Sequence, residues 1–198
     1  MKVLIITDLQ NDFMPGGVLG VPGADQIVSI VNRLIPRFEH IIATLDWHPE
    51  NHISFASTHG KKPKEMVGAQ VLWPDHCIRD SRGAALVDEL HQERIEARFY
   101  KGTDPQADSY SAFFDDRRRS TGLGEYLKKK KMHELYFCGV ATDYCVLYSV
   151  LDALQLGFSV AVIRDACRAV ELKKGDEERA LHKMEERGAR IALSSEFI

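Results

Sequence analysis

Short apolar runs of strand length alternate with longer amphipathic segments along the whole chain. The apolar runs predict β-strands at residues 3–7, 41–45, 95–100, 134–138, 158–163 and 190–193. The segments between them carry apolar residues at helical spacing and predict helices at 24–38, 84–91, 124–131, 142–156 and 176–187. Pro36 predicts a kink or an early end in the first of these helices. Such an alternation is typical of an open, mostly parallel sheet with helices on both faces, so we expect a three-layer α/β fold.

Two longer segments show little periodicity. They are residues 47–80, which are rich in histidine, proline and glycine, and residues 102–120, which are mostly polar. Loops of this length inside a compact domain usually carry function. No internal repeat, linker or low-complexity tract divides the chain, and we expect a single domain over residues 1–198.

The composition is that of a soluble globular protein and argues against two classes of partner. The 198 residues are 44% hydrophobic and 28% charged, and the formal net charge is −3. This charge gives no overall basis for binding nucleic acid or an anionic membrane. The four cysteines form no CxxC pair, the apolar N-terminal run is too short for a signal peptide, and no apolar run approaches the roughly 20 residues of a membrane span. We therefore expect free thiols and a cytoplasmic protein that binds neither membranes nor nucleic acid.

Residues that can take part in chemistry follow the first four predicted strands. Asp8 follows the first strand, Asp46 the second and Lys101 the third, and Cys145 lies in the run GVATDYCV, where the fourth strand leads into a helix. In an open parallel sheet, ligands bind beyond the carboxyl ends of the strands, near the point where the strand order reverses. Each of these residues alone has an ordinary structural explanation, but their joint placement predicts one functional site.

Cys145 is the candidate nucleophile of that site. Its predicted position in the first turn of a helix directs backbone N–H groups at the sulfur, and we expect a thiol that can ionise near neutral pH. Asp8 can take the proton of this thiol, and the ammonium of Lys101 favours the thiolate. The N–H groups around Ala141 and Cys145 can hold a developing oxyanion. These groups together predict acyl transfer through a thioester.

A second group of residues has the composition of a metal site. Asp46 and His48 lie two residues apart, on the same side of an extended chain, and His52 and His76 follow in the loop after them. One carboxylate with two or three imidazoles suits Zn²⁺, Fe²⁺ or Mn²⁺. The chain has 8 histidines, so ordinary loop histidines are the alternative explanation.

Three aromatic residues lie in the segments that border the same edge of the sheet. Phe13, Trp73 and Tyr110 can enclose a flat ring there. Aromatic residues are more often plain core residues, and the residues alone leave both interpretations open.

Five segments of the chain carry a resemblance to a known family. They are DLQNDFMPGG (8–17), LDWHPENHISF (45–55), WPDHC (73–77), KGTDPQADSYSAF (101–113) and GVATDYCV (139–146). In this order and spacing they resemble the nicotinamidase (pyrazinamidase) family of the isochorismatase-like cysteine hydrolases, over essentially the whole chain. The resemblance implies a six-stranded sheet with the Rossmann-like strand order 3-2-1-4-5-6. It also implies hydrolysis of nicotinamide to nicotinate and ammonia, with pyrazinamide as a further substrate and a role in NAD salvage.

The resemblance implies a role for each candidate residue. Cys145 matches the nucleophile, Asp8 the general base and acid, and Lys101 their electrostatic partner. The N–H groups of Ala141 and Cys145 match the oxyanion site, and the Val140–Ala141 bond matches a cis peptide of the family. The remaining matches are the metal ligands Asp46, His48 and His76, with His52 as a second-tier candidate, and the substrate-pocket residues Phe13, Trp73, Tyr110, Val140 and Ala141.

One divalent metal ion is the cofactor that the resemblance implies. It would hold the pyridine nitrogen of a small-molecule substrate, nicotinamide, while Cys145 attacks the carboxamide at the other end of the ring. Zn²⁺ is our first expectation, and Fe²⁺ and Mn²⁺ are the alternatives because the ligand set suits all three. The sequence leaves open whether the chain forms a homo-oligomer.

Three other interpretations are weighed against this one. A metallohydrolase would use metal-bound hydroxide as its nucleophile, and Cys145 would then be structural. A related cysteine amidase would act on another small amide. A binding protein with a relic pocket is disfavoured, because Asp8, Lys101 and Cys145 are all present.

Overall fold

The computed structural model describes all 198 residues, and its centre is one sheet of parallel strands. The strands of the chain are β1 (Lys2–Thr7), β2 (His40–Asp46), β3 (Met66–Val67), β4 (Gln70–Val71), β5 (Ala97–Lys101), β6 (Glu134–Val140), β7 (Ser159–Arg168) and β8 (Arg190–Ala192). β3 and β4 form a separate antiparallel ribbon, and the other six form the main sheet in the order β5-β2-β1-β6-β7-β8. The expected order 3-2-1-4-5-6 is therefore confirmed.

Four α-helices cover the two faces of this sheet. They are α1 (Ala24–Leu34), α2 (Leu123–Lys129), α3 (Leu147–Gln155) and α4 (Asp176–Glu186). Apolar side chains of α1 pack in the core on one face, and those of the other three helices pack in the core on the opposite face. This is the three-layer arrangement that the alternation of strands and helices predicts.

The strand-forming runs are continuously apolar because the inner strands are buried on both faces. In β1, Leu4 and Ile6 belong to the core on the α1 side, whereas Val3 and Ile5 belong to the core on the other side. Successive side chains of a strand point to opposite faces, so a strand in the middle layer needs apolar residues at every position. The pattern that identifies the strands in the sequence is thus a consequence of this double burial.

The first helix ends earlier than its apolar spacing alone suggests. α1 stops at Leu34, and the chain continues as a 3₁₀ turn, Ile35–Arg37, that contains Pro36. Proline has no N–H to donate, and its ring collides with the carbonyl four residues earlier in a continuing helix. The early end expected from Pro36 is confirmed.

The helix predicted at residues 84–91 is wrong. This segment is a series of turns whose backbone pairs with the chain after β1: the N–H of Val87 donates to the carbonyl of Leu9, and the N–H of Asn11 donates to the carbonyl of Ala85, both at 3.0 Å. Four apolar residues of the segment are buried, namely Ala84, Leu86, Val87 and Leu90. Their spacing reflects the packing of an irregular segment against the core, which overrides the local preference for a helix.

The two long loops meet at the carboxyl edge of the sheet. The N–H of Ile53 in the first loop donates to the carbonyl of Pro105 in the second at 2.8 Å, and the N–H of Trp47 donates to the carbonyl of Lys101 at 2.9 Å. The β3–β4 ribbon lies within the first loop. None of the helices has the length and apolar character that crossing a membrane requires.

Gly139 lies where β6 runs close beside β1. Its φ is +114°, and a Cβ added there would lie 2.0 Å from the carbonyl oxygen of Thr7. A side chain is therefore excluded both by the backbone conformation and by the neighbouring strand. This close approach joins the two strands at the point where the order of the sheet reverses.

Gly139→Ala is expected to lower the free energy of unfolding by about 3 kcal/mol or more, because the added methyl group forces the two strands apart. Gly157→Ala is the matched control: Gly157 also has a positive φ, of +86°, but nothing lies within 4 Å of the added carbon. The control variant should lose only about 1 kcal/mol, from its backbone conformation. Urea unfolding of both variants measures the difference, and equal losses would contradict the steric explanation.

Candidate active site

The candidate site lies at the carboxyl ends of neighbouring strands. β1 and β6 are adjacent where the strand order reverses, and Asp8 follows β1 while Cys145 follows β6. Asp46 and Lys101 are the last residues of β2 and β5 and are paired in the register of these strands. The sheet thus brings together residues that are far apart in sequence, at the edge where α/β proteins bind ligands.

Lys101 is the centre of this group. Its ammonium nitrogen lies 2.9 Å from Oδ2 of Asp8 and 3.3 Å from Sγ of Cys145, and it also contacts Oδ1 of Asp46. The lysine is only 2% exposed. One buried cation therefore faces two carboxylates and the candidate nucleophile at the same time.

Asp8 leaves β1 in a backbone conformation that favours glycine, with φ of +51°. Its Oδ1 accepts a hydrogen bond from the hydroxyl of Thr44 at 2.7 Å, while Oδ2 faces Lys101. Burial raises the pKa of Asp8, and the charge of Lys101 opposes part of this rise. The carboxylate is therefore a stronger base than an exposed aspartate.

Cys145 lies in a π-helical turn, Thr142–Val146, that precedes α3. The N–H of Val146 donates to the carbonyl of Ala141, five residues earlier, at 3.1 Å. The peptide bond between Val140 and Ala141 is cis, as the family resemblance implies. Ala141 and Cys145 both line the pocket beyond the strand ends.

The enclosure of Cys145 opposes the ionisation that we expect from its place in the first turn of a helix. Burial raises the pKa of Cys145 well above its usual value, although the ammonium of Lys101 lowers it. Desolvation of the thiolate outweighs the charge that faces it. A base must take the proton, and the carboxylate of Asp8 lies within 4.8 Å of the sulfur.

Three of the predicted metal ligands form a second group beside the first. Oδ2 of Asp46 lies 3.6 Å from Nε2 of His48 and 3.5 Å from Nε2 of His76, and all three side chains are buried. When it carries the proton, Nδ1 of His48 donates to the carbonyl of Gly102 at 2.9 Å. Nδ1 of His76 can likewise donate to the carbonyl of Pro74 at 2.8 Å. These bonds leave both Nε2 atoms as free acceptors that converge on one carboxylate oxygen, so the donor set fits a divalent metal ion.

His52 is not a member of this group. Its Nδ1 lies 2.7 Å from the hydroxyl of Ser54, and its Nε2 lies 3.2 Å from the carbonyl of Ala107. Both ring nitrogens therefore have hydrogen-bond partners within the protein. The ring packs beside that of His48, with 4.2 Å between centroids, and burial lowers the pKa of His52 to about 4.

The aromatic residues expected in a pocket do line it. Phe13, Trp73 and Tyr110 surround the space between Cys145 and the histidines, and the indole N–H of Trp73 donates to the Tyr110 hydroxyl at 3.0 Å. Val140 does not line this pocket; it is 1% exposed and packs in the core on the α1 side. As a residue of β6, it directs its side chain to the face of the sheet and not to the edge.

Several pocket residues were not among the candidates. The ring of Tyr144 packs edge-on against Trp73, with 5.1 Å between centroids, and the other additional lining residues are Leu19, Val21, Asp108, Ser109 and Val170. Tyr144 is next to Cys145 in the sequence, which is a signal that could have identified it. The others come from loops whose course the sequence does not reveal.

Cys145 is expected to react first when the folded protein is treated with iodoacetamide. It lines the pocket and is 6% exposed, whereas Cys77, Cys138 and Cys167 have no exposed surface. Lys101→Met removes the ammonium near the sulfur, so the pKa of Cys145 rises further and the rate–pH profile moves to higher pH. We expect about a tenfold lower rate at pH 8 for each pKa unit of that rise.

Mass spectrometry of alkylated peptides measures this rate. Lys129→Met is the control, because Lys129 lies on the exposed surface of α2. An unchanged profile in the folded Lys101→Met variant would mean that Lys101 does not influence ionisation of the thiol.

Comparisons with known proteins identify the family to which this chain belongs. The family model described as the isochorismatase domain matches residues 2–196. The nicotinamidase of Escherichia coli is 49% identical over 96% of this chain and 93% of its own length. A solved structure of PnC1 from L. infantum in complex with nicotinate is 39% identical, with a TM-score of 0.90, and covers 100% of this chain and 95% of its own. The pyrazinamidase of Pyrococcus horikoshii, solved in complex with zinc, is 41% identical, with a TM-score of 0.82, and covers 97% of this chain and 98% of its own. The chain therefore belongs to the isochorismatase family.

Proposed function

We propose that this chain hydrolyses nicotinamide to nicotinate and ammonia, and pyrazinamide in the same way, as a step of NAD salvage. The observation that carries the proposal is the position of Lys101, whose ammonium faces Cys145, Asp8 and Asp46 together. Lys101 thereby connects the proposed nucleophile and its base with the proposed metal ligands, in one pocket lined by aromatic residues. The nicotinamidase of Escherichia coli, at 49% identity, supports the same substrate.

The shape of nicotinamide suits the two ends of this pocket. The substrate is a flat pyridine ring with a carboxamide group, and the pocket is lined by the rings of Phe13, Trp73 and Tyr110. The ring nitrogen would face the histidines, and the carboxamide would face Cys145. Binding at both ends would hold the carbonyl carbon against the sulfur.

The first half of the reaction forms a thioester. Asp8 takes the proton of the Cys145 thiol as the sulfur attacks the carboxamide carbon, and the N–H groups of Ala141 and Cys145 hold the oxyanion that develops. The ammonium of Lys101 stabilises the negative charge on Asp8 and also on the sulfur when the proton is transferred. The C–N bond then breaks, and the nitrogen leaves as ammonia with the proton that Asp8 returns.

The second half of the reaction releases the acid. Asp8 takes a proton from a water molecule while the oxygen of that water attacks the thioester carbon. The C–S bond breaks, the sulfur recovers its proton from Asp8, and the nicotinic acid that forms loses its remaining proton to solvent or to the released ammonia and becomes nicotinate. The enzyme returns to its starting state after one amide and one water have been consumed.

Asp46, His48 and His76 would hold one divalent metal ion, for which Zn²⁺ is our first choice and Fe²⁺ and Mn²⁺ are alternatives. When bound, the ion would supply a Lewis acid for the ring nitrogen of the substrate. The convergence of two free Nε2 atoms on Oδ2 of Asp46 supports this assignment. The zinc complex of the pyrazinamidase of Pyrococcus horikoshii supports the choice of zinc.

The setting of this reaction is also part of the proposal. We propose one catalytic domain over residues 1–198 that acts in the cytoplasm on a free small molecule, without nucleic acid or a membrane. The four free, buried cysteines are typical of a reducing compartment and support this location.

Cys145→Ala is expected to lower the rate of ammonia release from nicotinamide by about 1,000-fold or more, because no thioester can form. The affinity for Zn²⁺ should stay within about threefold, because Cys145 is not among the three proposed ligands. Cys167→Ala is the matched control, since Cys167 is a fully buried cysteine outside the pocket. A coupled ammonia assay and a zinc titration measure the two effects.

The same experiment separates the alternatives. Near-full activity of the Cys145→Ala variant would eliminate thioester catalysis and favour metal-bound hydroxide as the nucleophile. Absence of ammonia release by the zinc-loaded wild-type protein from both nicotinamide and pyrazinamide would point to another small amide.

His76→Gln is expected to weaken the binding of Zn²⁺ by roughly 100-fold or more, because one of three protein ligands is replaced by a poor one. His52→Gln is the matched control and should change the affinity by less than about threefold, since His52 bonds to Ser54 and Ala107 instead. Competition with a chromophoric chelator measures both affinities. Equal losses in the two variants would add His52 to the ligand set.

A further inference from the structure

Gln10 is a buried polar side chain that the proposed reaction does not use. It has no exposed surface, and its hydrogen bonds all go to main-chain groups. Nε2 donates to the carbonyls of Asp46 at 2.7 Å and Ala84 at 2.8 Å, and Oε1 accepts from the N–H of Asp46 at 2.8 Å. Two of these three bonds therefore hold the main chain of one residue, Asp46.

The need for these bonds arises from the unequal lengths of two neighbouring strands. The pairing of β1 with β2 ends at Thr7 and Thr44, and the last main-chain bond runs from the N–H of Asp8 to the carbonyl of Thr44 at 3.2 Å. Asp8 then turns the chain away from β2, with φ of +51°. Asp46 is two residues beyond Thr44, so its N–H and carbonyl point to the side where β1 has ended.

The amide of Gln10 takes the place of the missing strand residue. A side-chain amide offers the same donor and acceptor as a peptide group, and here both meet the main chain of Asp46. Buried main-chain groups need such partners, because water cannot reach them. Gln10 thus extends the hydrogen-bond ladder between β1 and β2 by one step, as far as Asp46.

The carboxylate of Asp46 serves both halves of the site. Its Oδ1 contacts the ammonium of Lys101, while Oδ2 lies 3.6 Å from Nε2 of His48 and 3.5 Å from Nε2 of His76. The side chain of aspartate is short, so a shift of the main chain displaces both oxygens together. The position of the main chain therefore decides whether one carboxylate can face the lysine and the histidines at once.

We propose that Gln10 is a positioning residue for Asp46. By holding the N–H and the carbonyl of Asp46, its amide keeps one carboxylate oxygen on Lys101 and leaves the other for the metal ion. Gln10 couples the nucleophile group to the metal ligands without touching the substrate. This inference rests on the metal site of the proposed function.

Gln10→Met tests the inference, because methionine has nearly the length of glutamine but offers no amide. We expect the affinity for Zn²⁺ to fall about 10- to 100-fold, the usual effect of losing a group that orients a ligand. We also expect kcat for nicotinamide to fall with a smaller change in KM. Gln92→Met is the matched control, because Nε2 of Gln92 donates to the carbonyl of Val87 at 3.0 Å, away from the pocket.

Gln10→Glu is the second variant. Glutamate keeps the acceptor for the N–H of Asp46 but loses the donors to the two carbonyls, so the affinity for Zn²⁺ should fall by at least about tenfold. Competition with a chromophoric chelator measures the metal affinity, and far-UV circular dichroism shows that each variant is folded. Wild-type affinity and kcat in either folded variant would overturn the inference, and so would equal losses in Gln92→Met.

A measurement on the wild-type protein applies even if neither variant folds. Addition of Zn²⁺ to the metal-free protein should shift the side-chain amide NMR signals of Gln10 and leave those of Gln92 in place. Unshifted Gln10 signals in a protein that binds Zn²⁺ would overturn this inference and leave the proposed function in place. A wild-type protein that binds no Zn²⁺ would remove the proposed metal site and this inference with it.

Discussion

The candidate site depends on one buried ammonium group. Burial alone would lower the pKa of Lys101, but the charges of Asp46 and Asp8 outweigh it and raise this pKa well above its usual value. The lysine therefore stays charged although its side chain is buried. Without this cation, the carboxylates of Asp8 and Asp46 would lie within 4.8 Å of each other without the ammonium group that faces both, which is strongly unfavourable.

The parallel sheet is what makes this arrangement possible. Four strands that lie side by side, β5, β2, β1 and β6, end at the same edge and lead to Lys101, Asp46, Asp8 and Cys145. Each strand contributes one group, and the spacing between strands sets the spacing between groups. The long loops after β2 and β5 then close the pocket and bring the imidazole of His76 to the carboxylate of Asp46.

The sequence predicts an element correctly where burial imposes a repeated pattern of apolar residues. It fails where a feature depends on contacts with residues that are distant along the chain. The six strands of the main sheet are predictable because the inner ones, buried on both faces, consist of nearly continuous apolar runs, whereas the short β3–β4 ribbon in the first long loop leaves no such run. The helix predicted at residues 84–91 is wrong because an irregular segment that packs against the core has apolar residues at the spacing of a helix. The high pKa of Cys145 depends on how loops cover it, and the role of Gln10 depends on a main chain 36 residues away. Neither has a local pattern in the sequence.

Burial raises the pKa of both Cys145 and Asp8, which at first sight opposes a reaction that needs a thiolate. The proton, however, moves from the sulfur to the carboxylate within one enclosed group, and the total charge of that group is unchanged. Desolvation penalises the negative charge on either atom, so it affects the difference between the two pKa values far less than each value. Lys101 lies 3.3 Å from one acceptor and 2.9 Å from the other and stabilises the charge in both positions. The enclosed pocket can therefore exclude water without preventing the proton transfer on which the proposed reaction depends.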